Sequence, residues 1–212
     1  MIKILIADDH TIVRKGIIQI LTAEFTNAQI EEASSAEELI ERAVSKNWDI
    51  VITDISMPGR SGLDALQQIK LSKPHLPVLV LSMYPEEQYA VRVLKAGASG
   101  YLNKEVAPVQ LIHAIQQILS GRKYISPAVA ETMTNYLFKE QRKQAHEYLS
   151  NREFEVMKLL AAGKSIGEIA TVLKLSVSSI STYRSRIFSK MEVTNTAALT
   201  VYVIDHKLDD RM

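Results

Sequence analysis

The chain has 212 residues, a length between one and two typical domains, and 47% of these residues are hydrophobic. Its net charge of +1 gives no global basic field for nucleic acid, and the absence of cysteine excludes disulfides, thiolate metal sites and cysteine nucleophiles. The apolar start is interrupted by Asp8 and Asp9, so it is too short for a signal peptide or a membrane span, and no later stretch is long enough. We therefore expect a cytoplasmic protein with no membrane partner.

The first half of the chain alternates strand and helix patterns. Short apolar runs predict strands at residues 2–7, 28–33, 50–54, 77–83 and 100–102. Apolar residues at helical spacing predict helices at about residues 11–25, 36–44, 62–69, 86–96 and 109–119. Ile12 and Val13 belong to the apolar set of the first helix, and residues 35–38 form a capping box for the second. Five strands alternating with five helices predict an α/β fold built on one doubly wound, five-stranded parallel sheet.

Polar residues stand where the predicted strands end. The first strand is followed by Asp8 and Asp9, and the run Ile50–Ile52, which is typical of a strand buried on both faces, leads to Asp54. The fourth strand reaches Ser82, and the fifth ends just before Lys104. In a doubly wound sheet these strand ends share one edge, where such folds bind their ligands.

Three carboxylates meeting at one edge repel one another, so we expect a hard divalent cation among them. Mg²⁺ suits a few carboxylates, a backbone carbonyl and an incoming phosphate. The hydroxyl of Ser82 and the ammonium of Lys104 supply the donor and the positive charge that a phosphoryl group needs. This set predicts in-line attack of the Asp54 carboxylate on an activated phosphoryl donor, which gives an acyl phosphate.

Residues 122–147 differ from the segments on either side. Ser126 and Pro127 can open a helix with a modest apolar stripe, and a charged, polar run follows at residues 139–144. We interpret this segment as a partly helical linker with an exposed hinge near residues 139–147.

The last third of the chain is dense in helix signals. Capping boxes begin at Ser150 and Ser165, and a tight turn at residues 174–176 separates a short helix from a longer one at residues 177–191. Two helices joined by so few residues predict a helix-turn-helix. Small hydroxyl-bearing and basic residues lie on the outer face of the longer helix, which suits entry into the major groove of DNA but also an ordinary surface helix. These outer and flanking residues are Ser178, Ser181, Thr182, Ser185, Arg186, Ser189 and Lys190.

In order and approximate spacing, the acidic pair, Asp54 with the following residues 57–59, Ser82 and Lys104 resemble the receiver domain of response regulators, a flavodoxin-like fold. The resemblance implies that Asp54 is the phosphoacceptor and that Mg²⁺ is held by Asp9, by Asp8 directly or through water, by Asp54 and by the backbone carbonyl of Ser56. It further implies that Ser82 and Tyr101 form a switch pair and that Lys104 contacts the phosphate. Many receivers have proline after this lysine, whereas here Glu105 follows it.

The C-terminal segment resembles the LuxR-type helix-turn-helix, so the whole chain resembles a NarL/FixJ-type response regulator. The motifs that carry this resemblance are residues 149–153, 163–165, 168–170, 175–176 and 190–193. The resemblance implies base-edge contacts from Ser181, Thr182 and Ser185. It implies contacts to the DNA backbone from Ser179, Tyr183, Arg186 and Lys190. A fourth helix with Leu199 and Val203 would contribute to a dimer contact on DNA.

The resulting hypothesis is a transcription factor gated by Mg²⁺-dependent phosphorylation of Asp54, with a histidine kinase or phosphotransfer protein and double-stranded DNA as partners. It is not a metabolic enzyme, although self-dephosphorylation is expected, and it forms a homodimer when phosphorylated or bound to DNA. Its predicted domains are a receiver at residues 1–121, a linker at 122–147 and a DNA-binding domain at 148–212.

Two alternatives remain open. An aspartate-nucleophile phosphatase of doubly wound fold uses similar groups, but its first strand is followed by two aspartates separated by one residue, whereas Asp8 and Asp9 are adjacent. The other alternative is a DNA-binding regulator that works without phosphorylation, in which the first domain serves only for dimerisation.

Overall fold

The computed structural model describes residues 1–138 and 144–208. The chain divides into two compact units, residues 1–135 and residues 136–212. No helix of the described residues is both long enough and apolar enough to cross a membrane.

The first unit contains five parallel strands in the order β2-β1-β3-β4-β5. The strands are β1 (Lys3–Ala7), β2 (Gln29–Ala33), β3 (Ile50–Asp54), β4 (Val78–Ser82) and β5 (Gly100–Asn103). Every residue of the central strand β3 and of its neighbour β4 is buried, as a run of β-branched and aliphatic residues requires. The predicted doubly wound sheet is therefore confirmed.

Five helices connect or follow these strands, and a sixth lies beyond them. They are α1 (Thr11–Glu24), α2 (Ala36–Ser45), α3 (Gly62–Ser72), α4 (Glu86–Lys95), α5 (Ala107–Leu119) and α6 (Pro127–Phe138). Leu21 of α1 and Leu111 of α5 join Ile6 and Ile52 in one hydrophobic core, while α2 and α3 contact each other. The sheet thereby holds the ends of β1, β3, β4 and β5 in fixed register.

The first helix buries a narrower face than its sequence suggests. Ile17 and Leu21 are buried, but Ile12 is 87% exposed and Val13 is only partly covered. Ile12 lies five residues before Ile17 and is therefore rotated by about 140° around the helix, away from the sheet. Ile12, which belongs to the apolar set that predicts this helix, therefore lies outside its buried face.

Capping occurs where the sequence indicates it, with one difference. The complete boxes at Ser150 and Ser165 are confirmed. Ser35 accepts a hydrogen bond from the Glu38 N–H, but the Glu38 carboxylate accepts from the Ser34 N–H at 2.7 Å instead of closing the box at Ser35.

The segment interpreted as a linker begins as part of the first unit. Tyr124 forms a parallel bridge with Gly100, and its N–H donates to the Ser99 carbonyl at 2.8 Å. Ser126 donates to the Glu86 carboxylate and caps α6 by accepting from the Val129 N–H. The predicted hinge falls partly outside the described residues, because 139–143 are not described, and a short 3₁₀ helix occupies Ala145–Tyr148.

After the 3₁₀ helix, the described part of the second unit contains four α-helices. These are α7 (Asn151–Ala161), α8 (Ile166–Leu173), α9 (Val177–Met191) and α10 (Thr196–Asp205). Phe154, Ile169, Ile187 and Leu199 are buried at the centre of the unit. Lys174 ends α8 in a left-handed conformation, with φ of 50°, and Ser176 caps α9, so the turn between the two helices is as short as predicted.

Candidate functional site

An acidic cluster forms at the ends of β1 and β3. Pairing of Ala7 with Thr53 places the residues that follow β1 beside Asp54. One ligand atom each of Asp8, Asp9, His10 and Asp54 lies within 4.8 Å of the others. Asp8 and Asp54 are 1% and 2% exposed, so two carboxylates lie almost entirely away from solvent.

Lys104 joins the two buried carboxylates. Its Nζ lies 2.7 Å from Asp8 Oδ2 and 2.7 Å from Asp54 Oδ2, and its side chain is 7% exposed. The backbone N–H of Lys104 donates to the Ser82 carbonyl at 2.8 Å, which fixes the loop after β5 to the end of β4. Glu105, the departure from the receiver pattern, donates its N–H to Asn103 Oδ1 at 2.8 Å.

The electrostatics of the cluster follow from burial and from these charges. Burial raises the pKa of Asp54, and the nearby Asp8 carboxylate acts in the same direction, while Lys104 opposes both. Burial by itself would lower the pKa of Lys104, but the Asp54 and Asp8 carboxylates outweigh it and raise that pKa. One ammonium thus stands against three carboxylates, which leaves the site short of positive charge.

Oxygen atoms in the cluster lack hydrogen-bond donors. Among the described residues, the buried Asp54 Oδ1 accepts no hydrogen bond, and Asp9 Oδ1 is contacted by the His10 ring. A buried carboxylate oxygen without a donor is costly unless a cation contacts it. Carboxylate oxygens are hard ligands, and their close grouping here fits a divalent cation. The exposed His10 side chain, with Nδ1 at 3.0 Å from Asp9 Oδ1, lies at the solvent side of the cluster.

The predicted switch residues lie on the two strands beyond β3. Ser82 is completely buried, and its Oγ accepts a hydrogen bond from the Tyr84 N–H at 3.1 Å. The Tyr101 ring is buried as well, and its hydroxyl donates to the Tyr84 carbonyl at 2.7 Å. Burial raises the pKa of Tyr101. Both side chains therefore hold the same residue of the loop that leads from β4 into α4.

Ser56, the predicted carbonyl ligand, follows Asp54 by two residues in the partly covered loop after β3. Its role and those of Ser82, Tyr101 and Lys104 toward a phosphoryl group stay predictions.

Three residues near the acidic cluster make contacts that the sequence did not predict. His10 directly follows the acidic pair, and this adjacency was the available signal. Arg14 donates to the Asp8 backbone carbonyl from the first turns of α1. Gly62 lies so close to Asp54 that a Cβ on it would be 1.7 Å from the Asp54 carbonyl oxygen. Neither Arg14 nor Gly62 carries a pattern that predicts these contacts.

The outer face of α9 forms the second candidate site. Ser178, Thr182, Ser185 and Arg186 are exposed, whereas Ser179, Ser181 and Tyr183 are partly covered. The hydroxyls of Thr182 and Ser185 donate to helix carbonyls four residues earlier, at 3.0 and 3.1 Å, so their oxygens remain free to accept. Lys190 is exposed but donates to the buried Glu153 at 2.6 Å.

Comparison with known proteins places both sites in context. Residues 4–116 match the response regulator receiver domain, and residues 147–203 match the luxR family of bacterial regulatory proteins. Response regulator UvrY of Escherichia coli K12 is 34% identical over 209 residues, covering 98% of this chain and 96% of UvrY. Response regulator GacA of Pseudomonas aeruginosa PAO1 is 32% identical over 212 residues, covering 99% of each chain.

A solved structure is similar to this chain over nearly its full length. RcsB from Salmonella enterica serovar Typhimurium, bound to promoter P1flhDC in the presence of phosphomimetic BeF3−, is 29% identical, with a TM-score of 0.59. The similarity covers 95% of this chain and 97% of that one.

The parallel sheet with its acidic edge and the helix-turn-helix unit together define a signalling protein with a receiver domain and a DNA-binding domain. The chain belongs to the NarL/FixJ-type response regulators.

Proposed function

We propose that this protein is a cytoplasmic transcription factor that phosphorylation of Asp54 switches on, with a histidine kinase or phosphotransfer protein as donor. The observation that carries the proposal is the Asp54 carboxylate itself. One of its oxygens is held by Lys104 and the other accepts no hydrogen bond from the described residues, next to two further carboxylates. The cytoplasmic location is part of the proposal because the DNA target lies there.

The acidic cluster fits Mg²⁺, with Asp9, Asp54 and the Ser56 backbone carbonyl as its protein ligands and Asp8 acting directly or through water. When bound there, Mg²⁺ supplies the positive charge that lets carboxylates and phosphoryl oxygens lie side by side. A site with several oxygen ligands and room for water suits Mg²⁺ better than metals that prefer nitrogen or sulfur.

Phosphoryl transfer then uses residues that already face one another. An Asp54 carboxylate oxygen attacks the phosphorus of a phosphohistidine, the P–N bond breaks, and an acyl phosphate forms on Asp54 while the imidazole leaves. Lys104 remains close enough to pair with the new phosphoryl oxygens. Later attack of water on the acyl phosphate releases inorganic phosphate and restores the Asp54 carboxylate, so the protein dephosphorylates itself.

The loop between β4 and α4 carries the signal away from Asp54. Ser82 and Tyr101 both bond to Tyr84, so turning the Ser82 hydroxyl toward a phosphoryl group breaks its contact with the Tyr84 N–H. A ligand that favours one arrangement of this loop shifts the population of the whole unit. This coupling makes Ser82 and Tyr101 the proposed switch pair.

DNA is contacted by the outer face of α9. We assign base-edge contacts to Ser181, Thr182 and Ser185, whose small side chains let the helix approach the groove closely. Contacts to the DNA backbone come from residues along the margins of α9, together with Ser178 at the start of that helix. These are Ser179, Tyr183, Arg186 and Lys190; the Lys190 ammonium keeps two protons for a phosphate beyond its bond to Glu153.

A homodimer is the expected DNA-bound form. Val201 and Ile204 on α10 are each 58% exposed, which provides apolar surface for a second copy. Two recognition helices related by two-fold symmetry read half-sites about one helical turn apart.

The test measures oligomeric state and DNA binding with and without acetyl phosphate and Mg²⁺, in the wild type and in Asp54→Asn. The DNA is a duplex selected by the wild type from a pool of randomised sequences, and sedimentation reports oligomeric state. Asp64→Asn, a partly exposed carboxylate on α3, is the matched control. We expect the phosphodonor to tighten binding in the wild type and in Asp64→Asn and to have no effect in Asp54→Asn.

Equal binding by all three proteins under every condition would contradict gating and favour a regulator that works without phosphorylation. Incorporation of phosphate by Asp54→Asn would refute the choice of phosphoacceptor. Sustained turnover of a generic phosphate ester would instead favour the phosphatase alternative.

A further inference from the structure

Arg14 connects the acidic cluster to the edge of the sheet. It lies near the start of α1, its Nη1 donates to the Asp8 backbone carbonyl, and its Nε donates to Glu32 Oε2 at 2.7 Å. The Arg14 side chain is only 11% exposed, while its partner on β2 is 47% exposed. A planar guanidinium that bonds in two directions fixes its own position as well as that of its partners.

Arg14 contacts the peptide group that links Asp8 and Asp9, the two candidate metal ligands after β1. The Asp8 carbonyl belongs to the peptide between Asp8 and Asp9, so its orientation determines where both side chains start. The backbone hydrogen bond just before this peptide is long, because the Asp8 N–H lies 3.4 Å from the Ala33 carbonyl. The Asp8 carboxylate itself accepts from the His10 N–H at 2.8 Å. Arg14 therefore anchors the backbone of this peptide through its carbonyl, while Lys104 holds the Asp8 carboxylate itself.

We propose that Arg14 is a positioning residue for the cation site, acting through the backbone of Asp8 and anchored by Glu32. This inference rests on the proposed function, since it concerns Mg²⁺ binding at the acidic cluster. Arg14 holds the first strand's carboxylates toward Asp54 before the cation arrives, so less ordering is required on binding.

The charge of Arg14 and its positioning role have opposite effects on Mg²⁺ affinity, so a measurement can distinguish them. Arg14 carries a positive charge near a cation site, so removing that charge alone would strengthen Mg²⁺ binding. Removing an anchor of the ligand-bearing peptide would weaken it. Groups that orient metal ligands typically change metal affinity by about 10-fold or more. A loss of affinity in a variant that lacks the Arg14 charge thus identifies positioning as the dominant effect.

The experiment titrates the full-length protein with MgCl₂ in a calorimeter, comparing the wild type, Arg14→Met, Arg14→Lys and Arg42→Met. Arg42 is the matched control because its guanidinium donates to Glu38 at 2.6 Å and to Glu31 at 3.4 Å on the same sheet edge. We expect Arg14→Met to bind Mg²⁺ about 10-fold more weakly than the wild type, and Arg42→Met to stay within about twofold. Arg14→Lys restores the charge without the two-directional geometry, so it should not recover the affinity.

Urea unfolding without Mg²⁺ separates positioning from general stability. Both Met variants lose ion pairs of the same edge, so similar midpoints with different Mg²⁺ affinities support the proposal. If Arg14→Met does not fold, Arg14→Lys takes its place, because it keeps the charge and loses only the two-directional geometry; we expect its Mg²⁺ affinity to fall at least about threefold below that of the wild type.

The possible failures can be told apart. A wild type that takes up no Mg²⁺ overturns the proposed function and this inference together. A wild type that binds Mg²⁺ while Arg14→Met binds it equally or more tightly overturns the Arg14 inference alone. An Arg14→Lys protein with unchanged affinity also overturns it when Arg14→Met cannot be measured.

Discussion

The backbone around Asp54 is packed as tightly as its side chain. The Gly62 N–H donates to the Ile55 carbonyl at 2.9 Å, and the Thr53 hydroxyl donates to the Asp54 carbonyl at 3.0 Å. A Cβ on Gly62 would lie 1.7 Å from the Asp54 carbonyl oxygen and 2.8 Å from its carbonyl carbon. Only glycine lets the start of α3 approach the Asp54 backbone so closely.

Gly62→Ala should therefore destabilise the first unit by about 3 kcal/mol, because the added methyl group meets backbone that cannot rotate away. Gly16→Ala is the control: it lies within α1, and nothing stands within 4 Å of its added Cβ. There alanine should stabilise the protein by about 0.5–1 kcal/mol through its higher helix propensity. Urea unfolding followed by the fluorescence of Trp48, the chain's single tryptophan, measures both. Equal stability of the two variants would show that the loop after β3 relaxes freely.

Residues at strand ends were predictable, and residues on the first helix were not. Asp54 and Lys104 follow apolar runs whose direction in a parallel sheet is determined by topology, so their meeting at one edge could be predicted. The contact of Arg14 with Asp8 depends on the rotation of α1 about its axis, which the pattern of apolar residues left undecided. The exposed Ile12 shows the same uncertainty.

Among the elements, α7 is joined to α9 through a buried carboxylate. Glu153 closes the capping box with Ser150 at 2.7 Å and accepts from Lys190 at 2.6 Å. Burial opposes its ionisation, but Lys190 and the Ser150 N–H outweigh burial and hold the pKa of Glu153 below its ordinary value of 4.5. The capping box was evident from the sequence spacing, whereas the partner 37 residues later required the fold.

Because the folded-state pKa of Glu153 is lowered, its ionised form stabilises the second unit fully above about pH 4.5, and this contribution is lost as the pH falls through the lowered value. Glu153→Gln should cost about 2 kcal/mol at neutral pH and flatten the loss of stability on acidification below about pH 4.5. Hydrogen exchange of the α7 and α9 amides measures this locally.

The exposed Glu192→Gln serves as the control for Glu153→Gln and should keep the wild-type dependence on pH. An unchanged acid profile in Glu153→Gln would show that other carboxylates govern the acid stability of this unit.

At the scale of the whole molecule, the sequence and the structure differ over where the first unit ends. A change in composition after Gly121 suggested a receiver of residues 1–121, since the following segment lacks a strong apolar pattern. Yet Tyr124 is 7% exposed and belongs to the main core, its hydroxyl donates to Gln110 at 2.7 Å, and Ser126 bonds to Glu86. A single aromatic residue that forms an isolated bridge beside β5 leaves no periodic signal, so the sequence pattern could not predict it.

Fragment stability tests this boundary directly. A fragment of residues 1–138 keeps Tyr124 and the bond between Ser126 and Glu86, whereas a fragment of residues 1–121 loses both. Burial of one large aromatic side chain with its hydrogen bonds is worth about 2–3 kcal/mol, so the longer fragment should be more stable by that amount. Urea unfolding followed by Trp48 fluorescence gives the difference, and Tyr124→Ala in the longer fragment, which removes the ring but no chain, should lose most of it. Equal stability of the two fragments would show that the contacts of Tyr124 add nothing and that the receiver ends at Gly121.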